Sequence, residues 1–82
     1  MTKQEFLAKY GDIDVTFDRY YKYNFTYSAQ LEDGEFIMVT FGGDASEIYR
    51  EEVCNNDRQQ VRHLDIHSGA IYKNKKEICG FR

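Results

Sequence analysis

His63 and His67 flank Asp65, and cysteines stand at positions 54 and 79. These residue types can hold zinc, which takes Cys and His in a tetrahedron at about 2.0–2.3 Å. On a helix, imidazoles four residues apart would be neighbours and could chelate. The segment Gln60 to Ile66 instead reads as a strand, with Leu64 and Ile66 on one face and Val61, His63 and Asp65 on the other. That sets the two histidines about 13 Å apart, too far to share an ion. The cysteines lack the short spacing that preorganises a metal site. No metal site is expected, and His63 with Asp65 reads as a surface pair.

The other chemistries fare no better. A nucleophilic thiolate needs an electropositive setting, such as a helix N-terminus. Cys54 falls at the C-terminal end of a predicted helix, where the dipole disfavours a thiolate. Cys79 lies in a predicted strand beside Ile78, as a small packing residue would. Asp44, Glu47, Glu51 and Glu52 run along one helix instead of converging from several elements, which is the composition of a solvated face. Gly42-Gly43-Asp44 matches neither phosphate-binding glycine pattern, and Asp44 would repel a phosphate there. The residues thus predict no catalytic group and no cofactor, and the chain reads as non-enzymatic.

Charge is the feature left over. The first 57 residues carry five Lys/Arg against twelve Asp/Glu, a net of −7, and the last 25 carry six against two, a net of +4. Such asymmetry speaks of partners more than of fold. The acidic side chains gather as Glu32, Asp33 and Glu35 at a predicted hairpin turn, then as Asp44, Glu47, Glu51 and Glu52 on the following helix. Tyr20 and Tyr49 could add interface anchors, since tyrosine is enriched at docking surfaces. Lys73, Lys75, Lys76 and Arg82, with Tyr72 and Phe81 among them, have the alternative composition of a nucleic-acid contact.

The elements that must position these groups follow from periodicity. Thr2 with Glu5 is a capping box, Phe6, Leu7 and Tyr10 share a helical face, and Gly11 stands where a C-cap glycine belongs, predicting a helix over 3–10. Ile13, Val15 and Phe17 alternate with polar residues as a half-buried strand, with a bend at Asp18-Arg19. The same alternation runs from Tyr21 to Leu31 and predicts a further strand. A three-residue loop Glu32-Asp33-Gly34, with Gly34 left-handed, would pair Ala29 with Ile37, Tyr27 with Val39 and Phe25 with Phe41. Phe36 and Met38 then face the other way, to be covered by a helix or offered to a partner. Asp44 with Glu47 caps a second helix over 45–54. After the 60–66 strand, Ser68-Gly69 reads as a break. A hairpin then turns at Asn74-Lys75, with Asn74 at positive φ and Ile71 opposite Ile78. The fold class expected is α+β, a small antiparallel sheet of about four to six strands with two short helices, ordered roughly αββ(β)αβββ.

At 82 residues the chain is one domain, 1–82, with little room for a deep cavity. It has no apolar run long enough for a membrane span or a signal peptide, so a cytoplasmic location with reduced cysteines is expected. A lone compact acidic domain, rich in tyrosine and without catalytic residues, resembles small phage-encoded or mobile-element inhibitors, including anti-CRISPR proteins. The resemblance is one of overall profile and rests on no motif. It implies a protein that blocks a basic, nucleic-acid-binding site on a host protein. On this reading the partner-binding residues are Glu32, Asp33, Glu35, Asp44, Glu47, Tyr49, Glu51 and Glu52. The alternative is a small nucleic-acid-binding domain working through the basic C-terminal hairpin.

Overall fold

The structure is a computed structural model, and it describes residues 1–21, 24–42 and 58–82. Helix α1 (Lys3–Tyr10) begins as its capping box requires: the Thr2 hydroxyl accepts from the Glu5 N–H, and the Glu5 carboxylate accepts from the Thr2 N–H. Gly11 follows in right-handed geometry (φ −61°), so the helix ends without the left-handed glycine that the sequence suggested. Instead the Gly11 carbonyl accepts from the Arg62 N–H, and the chain passes straight into the sheet.

Six antiparallel strands form that sheet: β1 (Asp14–Tyr21), β2 (Asn24–Gln30), β3 (Glu35–Gly42), β4 (Gln59–Gln60), β5 (Ser68–Lys73) and β6 (Lys76–Phe81), in the order β4-β1-β2-β3-β5-β6. The expected β2–β3 register is the one observed, with Ala29, Tyr27 and Phe25 opposite Ile37, Val39 and Phe41. Registered partners share a face. Phe17, Tyr27, Val39, Gly69 and Phe81 therefore form one row across five strands, and Ala29, Ile37, Ile71 and Cys79 form the next. Phe6 and Tyr10 of α1 close over this face, together with Val61 and Ile66 from the connection between β4 and β5. The resulting core is largely aromatic, with Phe6 5.0 Å from Tyr10 and 5.1 Å from Phe81 between ring centroids.

Several further expectations need correction. The alternation from Tyr21 to Leu31 is not one strand, because β1 continues to Tyr21 and pairs back on β2 with Tyr21 opposite Asn24. Asp18 is the extra residue of a bulge in β1, which shifts the parity of everything after it. The 60–66 strand reduces to the two residues of β4 followed by a 3-10 turn, Val61–His63. Val61 and Ile66 are both fully buried. They differ in parity, so an extended strand would have exposed one of them. Ser68-Gly69 opens β5 and does not break it.

The hairpin at the end of the chain shows the same physics. Asn74 and Lys75 both take positive φ (53° and 64°), making the two-residue turn expected for right-twisted strands. Ile71, however, stands opposite Cys79 and not Ile78, because Ile78 bulges out of β6 and is 52% exposed. Unbulged, β6 would have turned Ile78 and Gly80 toward the core and Phe81 outward. The bulge exchanges them for Cys79 and Phe81, and the Phe81 ring then packs at a tilt against Phe6. The second expected helix, 45–54, lies outside the described residues.

Candidate functional site

The strand order brings two clusters that are about 40 residues apart in the chain to the same end of the sheet. β3 pairs with β5 so that Glu35 stands opposite Lys73, and β5 pairs with β6 so that Lys73 stands opposite Lys76. The acidic turn Glu32-Asp33-Gly34 therefore lies beside the basic turn Asn74-Lys75. Glu32, Asp33, Lys75 and Lys76 are exposed, and Glu35 and Lys73 are half-buried.

Both turns are built to hold these side chains out. The Leu31 N–H donates to the Glu35 carbonyl at 2.7 Å and closes the acidic loop. Within it Asp33 (φ 59°) and Gly34 (φ 75°) are left-handed, as are Asn74 and Lys75 in the basic turn. Among the described residues these four are the only ones at positive φ.

Four ion pairs form among the described residues, and all of them lie away from these turns. Arg62 pairs with Asp12 at 2.6 Å, Arg82 with Glu77 at 2.6 Å, Arg19 with Asp18 at 3.1 Å and Lys3 with Asp65 at 3.6 Å. Among the described residues, no ion pair involves Glu32, Asp33, Glu35, Lys73, Lys75 or Lys76. Carboxylates and ammonium groups thus share one end of the sheet while neither set neutralises the other in direct contact.

An aromatic pair sits immediately below them. Phe36 is opposite Tyr72 in the β3–β5 register, and their rings stack at 5.0 Å with an interplanar angle of 13°. Both belong to the sheet face turned away from α1, and both are half-buried. Beyond them Met38, Thr40, Ser68, Ala70, Tyr72 and Arg82 line a shallow groove of about 170 Å³. Arg82 is held there by Glu77. Its guanidinium donates to that carboxylate, which with the carboxylate's charge raises the Arg82 pKa above its ordinary value.

The remaining candidates separate. Phe81 is only 6% exposed and belongs to the core, so it is not available for base stacking. Cys79 is half-buried with its Sγ 3.6 Å from the Tyr10 hydroxyl. Burial, and then that contact, raise the Tyr10 phenol above its usual pKa. His63 ends the 3-10 turn and His67 is exposed where β5 begins, its N–H donating to the Thr40 carbonyl. Among the described residues no group of three His, Cys, Asp or Glu could hold a metal ion. A wider depression of about 560 Å³ at the opposite end of the sheet is lined by Lys3, Asp65, Ile66, His67, Phe81 and Arg82, among others. Its charges are already spoken for, Lys3 by Asp65 and Arg82 by Glu77. Of the expected partner-binding residues, Glu32, Asp33 and Glu35 are brought together here. Asp44, Glu47, Tyr49, Glu51 and Glu52, like Cys54, lie outside the described residues. Tyr20 takes register opposite Phe25.

Sequence reasoning missed the stacked pair and the side-by-side turns. The signal that could have found both is the opposite-charge pairing of Glu35 with Lys73, which places β3 against β5 and Phe36 against Tyr72. Among the described residues no helix is long and apolar enough to cross a membrane. Compared with family models, curated proteins and solved structures, the chain matches none of them.

Proposed function

We propose that this chain is a non-enzymatic protein-binding domain, an inhibitor or adaptor that occupies a basic, nucleic-acid-binding surface of a host protein. The working face is the acidic turn Glu32, Asp33 and Glu35, with Phe36 and Tyr72 as the aromatic anchor behind it. The observation that carries this reading is a closed hairpin loop that exposes Glu32 and Asp33 next to half-buried Glu35, all three in no ion pair among the described residues, near a stacked aromatic pair. An aromatic centre with a charged rim is the usual anatomy of a docking surface. Asp44, Glu47, Tyr49, Glu51 and Glu52 belong to the same proposal as a second set of partner-binding residues. The resemblance in profile to phage-encoded inhibitors, anti-CRISPR proteins included, adds to it. Lys73, Lys75 and Lys76 narrow the partner further: its basic patch must be bordered by acidic groups.

Affinity capture from a nuclease-treated bacterial lysate tests the proposal when wild type is compared with the double variant Glu32→Lys/Glu35→Lys. Wild type should retain a stoichiometric partner, and the variant should lose it by on the order of 10-fold or more. Equal capture by both proteins would sink the acidic-turn mechanism. The same comparison with Glu47→Lys/Glu51→Lys reads the second acidic cluster.

One observation favours a nucleic-acid reading, namely the half-buried Tyr72 ring on the sheet face turned away from α1, next in the strand to Lys73. Against it, Phe81 is committed to the core, Arg82 is held by Glu77, and Glu35 sits opposite Lys73. That reading predicts steeply salt-dependent binding of single strands, lost on Lys73→Glu/Lys75→Glu/Lys76→Glu.

A further inference from the structure

Among the described residues, six charged side chains of both signs gather at one end of the sheet and take part in no ion pair. Their layout is a row, with the acidic turn on one side, the basic turn on the other, and the boundary between them at the registered pair Glu35 and Lys73. A row with one sign at each end is complementary to a copy of itself turned by half a revolution. A two-fold axis near that boundary sets each acidic turn against the partner's basic turn, which is the isologous contact that closed dimers use.

We infer that this end of the sheet is a self-complementary docking surface whose occupant is a second copy of this chain, with Glu32, Asp33 and Glu35 of each protomer facing Lys73, Lys75 and Lys76 of the other. The inference goes beyond the docking of a foreign protein and does not depend on it. A nucleic acid would meet the carboxylates, and a uniformly basic protein would meet the lysines. A second copy offers every charge in the row an opposite one. Pairing through the β6 edge is a poorer route, since the bulge at Ile78 interrupts the ladder an incoming strand would need. The contact surface is confined to two turns and the strand ends beside them, so the dimer belongs to the weak class and weakens with salt.

The test uses the purified full chain and a pair of charge reversals that leave the left-handed residues Asp33, Asn74 and Lys75 in place. One variant is Glu32→Lys/Glu35→Lys and the other is Lys73→Glu/Lys76→Glu. By analytical ultracentrifugation, wild type should show a concentration-dependent dimer that recedes by several-fold in about 0.5 M salt. Each variant alone should be monomeric, because its row then carries mostly one sign. Their equimolar mixture should form a heterodimer tighter than the wild-type homodimer. A wild type that stays monomeric up to about 1 mM, or a mixture that does not associate, overturns the inference. Should a variant fail to fold, concentration-dependent amide shifts of the wild type decide the matter without mutation. Shifts confined to residues 32–36 and 72–76 support the inference, and shifts centred on residues 77–81 would mean edge pairing and overturn it. Because no lysate partner enters, this result is independent of whether a host protein is bound.

Discussion

Few residues show the economy of this small core as clearly as Gly69. It occupies the middle of the aromatic row, and a Cβ there would sit 2.7 Å from Phe6 Cζ and 3.2 Å from Phe81 Cε1. The Phe6 ring cannot retreat, since Tyr10 and Phe81 hold it on either side. Gly69→Ala should therefore destabilise by about 1–3 kcal/mol in urea titrations. Phe6→Ala should cost about 3–5 kcal/mol, comparable with the whole stability of a domain this size. Glu5 links the same helix to pH. Its hydrogen bonds with Thr2, backbone first and then side chain, lower its pKa below the ordinary glutamate value. The unfolded chain then binds that proton more readily than the folded one, so stability rises with pH across this window. The contribution is present in full above the ordinary glutamate pKa and is lost as pH falls through the lowered one. Chemical denaturation at a series of acidic pH values should show this loss in wild type and its absence in Glu5→Gln.

At the level of elements, the bulge in β6 makes a prediction that an unbulged hairpin would reverse. Ile78→Thr should leave stability within about 0.5 kcal/mol, whereas Phe81→Ala should cost about 3–5 kcal/mol. Thermal melts of the two variants, compared directly, read the register of the strand. This is also where the sequence was least legible. The α1 capping box and the β2–β3 register could be read because each depends on neighbouring residues and on one face being buried. The bulges at Asp18 and Ile78 could not, since each is selected by a distant partner: Ile78 yields its place to Phe81 because Phe6 waits on the far side of the core. The β1–β2 pairing was hidden because the apolar alternation in the sequence carries on in step from the end of β1 into β2. Val61 and Ile66 misled in the opposite way, their β-branched side chains suggesting a strand where the chain wraps over the core edge. Of the candidate site, the acidic and basic turns were each visible, but their adjacency rests on the non-local pairing of β3 with β5.

For the whole molecule, that adjacency changes what the lopsided charge means. The acidic first part and basic last part of the chain are not displayed on opposite sides in the described residues, since Glu35 faces Lys73 across one ladder. Docking should therefore respond to the pattern of charge more than to its total. Lys73→Gln/Lys76→Gln makes the protein more acidic, yet it should weaken self-association several-fold, as ultracentrifugation would show. The backbone of the two turns carries a consequence of its own. Lys75 holds a left-handed conformation that a side chain with a Cβ adopts at a cost, and glycine would hold it freely. Lys75→Gly should thus stabilise the fold by up to about 1 kcal/mol, or ~5 °C in Tm, while removing one cation from the row. A protein shaped by thermostability alone would carry glycine there. The lysine marks a position where durability yields to display, and variants that melt higher are the ones to check first for weakened association.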